Sequence, residues 1–244
     1  MKMKNKRILQ ISAIEIFIIL ISGCVSYTSE ADFLSLDPSG LEIRETGKYY
    51  LIKPAADMPS GESEERGVIF YPGGLVRPDS YIPLGSLLVR SGATVFIVKM
   101  PFDLAVFAPY RAEEIRPEFS GITEWIIGGH SLGGVMAVKV LYDIPEAYSG
   151  LFLLASYPAA GNNISDFSGE VLSIYGTEDT VLSPEGFAEG VSLLPASTVI
   201  MELEGGNHAQ FGNYGFQKGD SPAEISSKEQ QELTASSIID LLYK

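Results

Sequence analysis

The chain has 244 residues, enough for one large domain or two small ones. With 45% hydrophobic and 20% charged residues it can build a sizeable core. Its formal net charge of −14 disfavours a nucleic-acid partner, because so acidic a surface repels phosphate backbones. No internal repeat or low-complexity tract is visible, which weighs against solenoids and propellers.

The chain opens on Lys2, Lys4, Lys6 and Arg7, continues with a mostly apolar run from Ile8 to Ile21, and reaches Ile21-Ser22-Gly23-Cys24. A basic head, a short apolar stretch and small residues before a cut describe an export signal. The tetrapeptide resembles the lipobox of bacterial lipoproteins. That resemblance implies a signal peptide over 1–23, lipidation of Cys24 as the first mature residue, and an exported bacterial protein anchored to the membrane. Cys24 is the single cysteine of the chain, so no intramolecular disulfide can form. Glu15 inside the apolar run departs from the pattern, and an ordinary cleaved signal or an uncleaved anchor stay open. The run is shorter than the ~20 apolar residues a spanning helix needs. Cleavage before Cys24 leaves 13 basic and 30 acidic residues and shifts the net charge to −17.

Residues 24–47 read as a polar, irregular tether with a turn at Asp37-Pro38-Ser39-Gly40, and the folded domain is expected over 48–244. Strands are predicted at Tyr49 to Ile52 and Val68 to Tyr71, separated by a surface loop from Pro54 to Arg66. A helix follows from Tyr81 to Arg90, stopped by Gly92, then a strand at Thr94 to Val98. A helix limited by Pro117 falls within Tyr110 to Phe119. Trp125 to Ile127 is a strand, Leu132 to Tyr142 a helix, and Leu151 to Leu154 and Val171 to Tyr175 are strands. Pro184 to Leu194 is a helix with its proline in the first turn, Thr198 to Leu203 the last strand, and Glu224 to Leu242 a closing amphipathic helix. Apolar strands alternating with helices mean an α/β fold with a mostly parallel central sheet and helices on both faces. In such sheets chemistry sits beyond the carboxyl ends of the strands.

Gly129-His130-Ser131-Leu132-Gly133 matches G-x-S-x-G, and it stands between a predicted strand and a predicted helix, as a nucleophile elbow requires. The glycines two residues either side of Ser131 must come so close to the turn that a side chain there would clash. Ser131 then projects at a helix N-terminus, where backbone N–H groups favour developing negative charge.

Two histidines are present. His130, inside the tight turn, is expected to point away from Ser131. His208, in Gly205-Gly206-Asn207-His208 directly after the last strand, is the candidate base. Asp179 follows a strand through Gly176-Thr177-Glu178 and is the candidate acid that orients His208, with Glu178 as the alternative; Asp143 and Asp166 lie in less suitable places. For the oxyanion, the Leu132 N–H is one expected donor, and Gly74, or failing that Leu75, in Tyr71-Pro72-Gly73-Gly74-Leu75 is the other. Phe102, Phe107, Tyr157, Phe211 and Tyr214 lie in or near loops that could line a pocket.

The segments FYPGG, GGHSLGG, ASYPA, LSIYGTED and EGGNHAQFGNYG make residues 67–243 similar to the α/β-hydrolase superfamily, most of all to its compact dienelactone hydrolase-like branch. Enzymes of that branch proper carry cysteine at the elbow, where this chain has serine. The resemblance implies a serine hydrolase cleaving carboxylic esters or related acyl compounds through an acyl-enzyme on Ser131, His208 and Asp179. The short spacing between Leu154 and Val171 leaves no room for a large lid domain. An acyltransferase on the same triad, or a non-catalytic binding lipoprotein on a hydrolase scaffold, are the alternatives. No cofactor is expected, and one cysteine with two histidines gives no metal site of the usual N/S type. The expected partners are a small-molecule acyl substrate and, through the N-terminal lipid, a membrane.

Overall fold

The computed structural model describes residues 26–30, 40–55 and 66–242, so the signal peptide over 1–23 and Cys24 lie outside the described residues. Eight strands form one sheet: β1 (Leu41–Glu45), β2 (Tyr49–Pro54), β3 (Arg66–Tyr71), β4 (Thr94–Val98), β5 (Glu124–His130), β6 (Gly150–Leu154), β7 (Glu170–Gly176) and β8 (Val199–Leu203). Their order is β1-β2-β4-β3-β5-β6-β7-β8. β2 runs antiparallel to both β1 and β4, and every pairing from β4 through β8 is parallel.

The helices are α1 (Ile82–Leu88), α2 (Arg111–Ile115), α3 (Leu132–Asp143), α4 (Pro184–Val191) and α5 (Ser227–Leu242). Successive strand residues point to opposite faces, and the sheet sorts them into two cores. Ile52, Phe70, Val95, Ile97, Phe152 and Ile174 pack with Leu84 and Leu88 of α1 and Ile238 of α5. Leu51, Ile69, Phe96, Ile127, Leu151 and Leu153 pack with Ile115 of α2 and Val138 and Leu141 of α3. A sheet covered on both faces explains why its central strands read as unbroken apolar runs.

The predicted strands and helices are all present, with ends shifted by a few residues. Gly92 closes the turn after α1 at φ 85°, donating to the Val89 carbonyl. The helix expected within Tyr110 to Phe119 is a single short α2 followed by a 3-10 turn at Arg116–Glu118, as Pro117 dictates. The stretch 24–47 needs correcting as a tether in two places. Leu41–Glu45 is a strand, registered with Leu41 opposite Pro54 and Ile43 opposite Ile52. Its alternating LEIRE pattern suits an edge strand, with Ile43 still 40% exposed. Ser26–Glu30 is docked on the body: Tyr27 N–H donates to Leu75 O, Arg77 N–H to Tyr27 O, and Glu30 N–H to Asn213 O.

The centre of the sheet is filled by Phe152 of β6, fully buried, with its ring 5.9 Å from that of Phe70 and against the bare Cα of Gly128. Phe152→Ala should cost about 3–5 kcal/mol of stability. Urea unfolding checks this; a loss below ~1 kcal/mol would mean the core closes over the gap.

Candidate active site

The loops that follow β3, β4, β5, β7 and β8 all leave the same edge of the sheet, because those strands are parallel. Ser131 lies between β5 and α3, with φ 50° and ψ −123°, a backbone region that costs a non-glycine residue about 1–3 kcal/mol. Neighbouring strands hold it there. Ser131 N–H donates to Leu154 O at 2.9 Å, extending the β5–β6 ladder, and Ser156 Oγ donates to Ser131 O at 2.8 Å. The glycines meet the expected constraint. A Cβ on Gly129 would stand 2.5 Å from Tyr71 O, and one on Gly133 would overlap the carbonyls of both Tyr71 and Pro72.

His208 and Asp179 meet across two adjacent strand ends. The Asp179 loop follows β7 and the His208 loop follows β8. His208 Nδ1 donates to Asp179 Oδ2 at 2.8 Å, with side chains only 2% and 1% exposed. The other oxygen, Asp179 Oδ1, accepts from Val181 N–H and Leu182 N–H, both at 2.8 Å. The carboxylate is thereby fixed on both oxygens, and the proton on Nδ1 leaves Nε2 of His208 as the acceptor. Of the two carboxylates weighed in this loop, Asp179 makes the contact. Asp166 is exposed, and Asp143 binds Tyr110 and Lys139 at the far end of α3.

Gly74 and Leu132 lie side by side: a Cβ on Gly74 would be 3.0 Å from Leu132 Cδ2. Gly73 N–H donates to Tyr81 Oη and Leu75 N–H to Asp103 O. Those bonds remove Leu75 as a candidate donor and leave the Gly74 amide between two committed neighbours. The Leu132 N–H heads α3, where no intrahelical acceptor exists for it.

Tyr81 and Asp220 are not marked by the sequence, and His130 has a larger part than the sequence suggests. His130 was expected only to point away from Ser131; its ring is buried 4.6 Å from the His208 ring and bonded through Nδ1 to Tyr81 Oη at 2.8 Å. Tyr81, at the turn into α1, therefore ties the Gly73 amide to the elbow. Asp220 is a third carboxylate. Its Oδ2 accepts from Ala209 N–H at 2.8 Å and its Oδ1 from Thr180 N–H at 3.4 Å and Ser221 N–H at 3.0 Å. It thus holds the residue after His208 and the residue after Asp179. Burial, with Asp179 nearby, raises its carboxyl above the ordinary range. No local sequence pattern marks any of these contacts, which arise only when distant loops converge. Of the aromatic candidates, Phe211 and Tyr214 are buried with rings 5.7 and 6.4 Å from His130, and Tyr157 packs near α4 against Phe187. Phe102 and Phe107 are exposed.

Burial first, then the nearby His208, pushes the His130 pKa well below its ordinary 6.5, so His130 is neutral in the fold. The unfolded chain takes up a proton there as pH falls through 6.5 and the folded chain does not. Stability contributed by this site is therefore full above 6.5 and declines below it, by at most about 1.4 kcal/mol per pH unit. His130→Asn should flatten the decline in urea-unfolding free energy between pH 7.5 and 5.5; an unchanged slope would show that His130 carries none of it.

A profile of the alpha/beta hydrolase family matches residues 67–232, more than half of the chain. No curated protein gives a significant sequence match. Among solved structures, the chain is similar to a predicted CIB-like hydrolase from Thermoplasma acidophilum, with TM-score 0.58 and 16% identity over 82% of this chain and 100% of that one. It is similar also to a monoacylglycerol lipase from Paleococcus ferrophilus, with TM-score 0.58 and 15% identity over 73% of this chain and 96% of that one. An esterase from Mycobacterium tuberculosis gives TM-score 0.56 and 12% identity over 88% of this chain and 97% of that one. At such identities these likenesses speak for the fold. Together with the family match and the eight-stranded, mostly parallel sheet, they establish that the chain belongs to the α/β-hydrolase family.

Proposed function

We propose that the protein is an exported, lipid-anchored serine hydrolase that cleaves carboxylic esters through an acyl-enzyme. The observation that carries this reading is the buried 2.8 Å pair of His208 and Asp179 beside the strained Ser131 turn. His208 Nε2 takes the Ser131 proton as Oγ attacks the substrate carbonyl. The Leu132 and Gly74 amides stabilise the resulting oxyanion. The C–O bond to the alcohol breaks, His208 returns the proton to that oxygen, and the alcohol leaves. Water, deprotonated by His208, then attacks the acyl carbon; the bond from that carbon to Ser131 Oγ breaks, His208 returns the proton to Oγ, and the acid leaves. Asp179 keeps the histidine in the right tautomer and stabilises its charged form. Membership of a hydrolase family, and the esterase and lipase names carried by structural neighbours, support ester hydrolysis. The lipobox-like Ile21-Ser22-Gly23-Cys24 after a basic head and an apolar run supports lipidation of Cys24 and attachment to a membrane.

With a short-chain activated ester, Ser131→Ala should lower kcat by about 10⁶-fold and Asp179→Asn by about 10⁴-fold. Circular dichroism should show both folded. A folded parent without turnover, or a Ser131→Ala variant that keeps full activity, would remove the proposal.

A further inference from the structure

The loop after β4 presents Phe102 at 80% exposure, Val106 at 36% and Phe107 at 60%, with the two phenyl rings 5.8 Å apart. The backbone is strained to hold it so. Phe102 and Asp103 are consecutive non-glycine residues at φ 55°. Water gives no reason to spend strain on exposing a phenyl ring. The loop is also fastened to the active site, since Asp103 O accepts the Leu75 N–H and Leu104 lies against Gly74.

The docked N-terminal segment lies beside this loop. Ser26 Oγ donates to Asp103 Oδ2 at 3.0 Å. The segment also meets the loop that carries Phe216, itself 67% exposed: at its other end Glu30 N–H donates to Asn213 O, and the Tyr27 ring lies tilted 5.4 Å from that of Tyr214. Cys24 precedes Ser26 by two residues, a reach of at most ~7 Å. A lipid on Cys24, joining the chain to a membrane, therefore attaches within ~7 Å of Ser26, whose hydroxyl is bonded to Asp103, the residue after Phe102.

We propose that Phe102, Phe107 and Phe216 form a rim that sits in the headgroup–acyl boundary of that membrane, and that the substrate is a long-chain acyl ester resident in the same leaflet. The proposal of a membrane ester rests on the ester-hydrolase reading, and the rim placement rests on the lipid-anchored reading of the N-terminus. Aromatic rings favour this boundary, and a single lipid group holds a protein only marginally unless a second contact adds to it. With a net charge of −14 before cleavage, or −17 after it, the fitting surface is zwitterionic rather than anionic.

The test uses the full chain, produced with its leader and reconstituted in phosphatidylcholine vesicles with brominated acyl chains. Trp125 is the single tryptophan and is buried, so Phe102→Trp adds a reporter at the rim over a quiet background. The rim placement predicts that the protein floats with the vesicles and that the added fluorescence is quenched by bromine. Failure to float would sink the lipid-anchored reading and the rim with it, whereas a floating protein with an unquenched reporter, or a blue shift that needs only high protein concentration and so marks a second copy as the occupant, would overturn the rim alone. The substrate half is read with Phe102→Asp/Phe107→Asp. Hydrolysis of a long-chain acylglycerol in the vesicles should fall about tenfold or more, with a soluble short-chain ester cleaved within about twofold of the parent rate. Equal loss on both substrates, or on neither, would overturn the membrane-ester claim. A parent inactive on both would sink the ester-hydrolase reading instead and leave the quenching result standing.

Discussion

Everything at the site depends on how closely the backbone of β3 approaches the turn at Ser131. The Tyr71 carbonyl lies 2.5 Å from where a Cβ on Gly129 would stand, and closer still to one on Gly133. With β3 and β5 paired at this distance, the chain leaves β5 through a tight turn that puts Ser131 at φ 50°. The strain is offset by the parallel ladders on either side, by the Ser131–Leu154 hydrogen bond that continues one of them, and by α3 starting at once. One consequence is that the serine and the N–H of Leu132 are presented together. Another is that His130, held on the other side of the turn, becomes part of the wall behind His208.

The second half of the site is built by a different device. β7 and β8 end side by side, and their loops are interlocked by polar groups. Glu178 N–H donates to Gly206 O, Thr177 Oγ1 accepts from Gly205 N–H, and Gln230 of α5 bonds both the N–H and the carbonyl of Asn207. Asp220 adds the link between the residues that follow Asp179 and His208. Each interaction is small when exposed, yet removing one partner of a buried pair strands the other. The histidine is thus placed by a network reaching into the last helix of the chain, some distance in sequence from the elbow.

The legibility of this protein divides along the same line. Strands β3 to β7 and the helices after them were readable because the parallel sheet is buried on both faces there, so the strands are plain apolar runs and the breaks are Gly, Pro and polar turns; β8, a half-exposed edge strand, was readable from the apolar run Val199-Ile200-Met201. The positions of Ser131, Asp179 and His208 were readable because each follows a strand, and the structure brings Asp179 and His208 together. β1 was missed because an edge strand buries little, and its LEIRE alternation is weak beside its polar neighbours. The docking of Ser26–Glu30 and the positions of Tyr81, His130 and Asp220 rest on contacts between segments tens of residues apart, such as Ser26 with Asp103, Tyr81 with His130 and Thr180 with Asp220. Short-range pattern holds no information on such contacts. The exposed rings of Phe102 and Phe107 could only be told from pocket-lining ones once burial was known.

The central claim is that Ser131 is a nucleophile activated by the His208–Asp179 pair. The most direct measurement is covalent: treat the protein with a fluorophosphonate, digest it, and locate the added mass by tandem mass spectrometry. An activated serine predicts one adduct, on Ser131 in the peptide containing GGHSLGG, formed much more slowly when His208 is replaced by Ala. Labelling of a different residue, or no labelling of a folded protein, would contradict it.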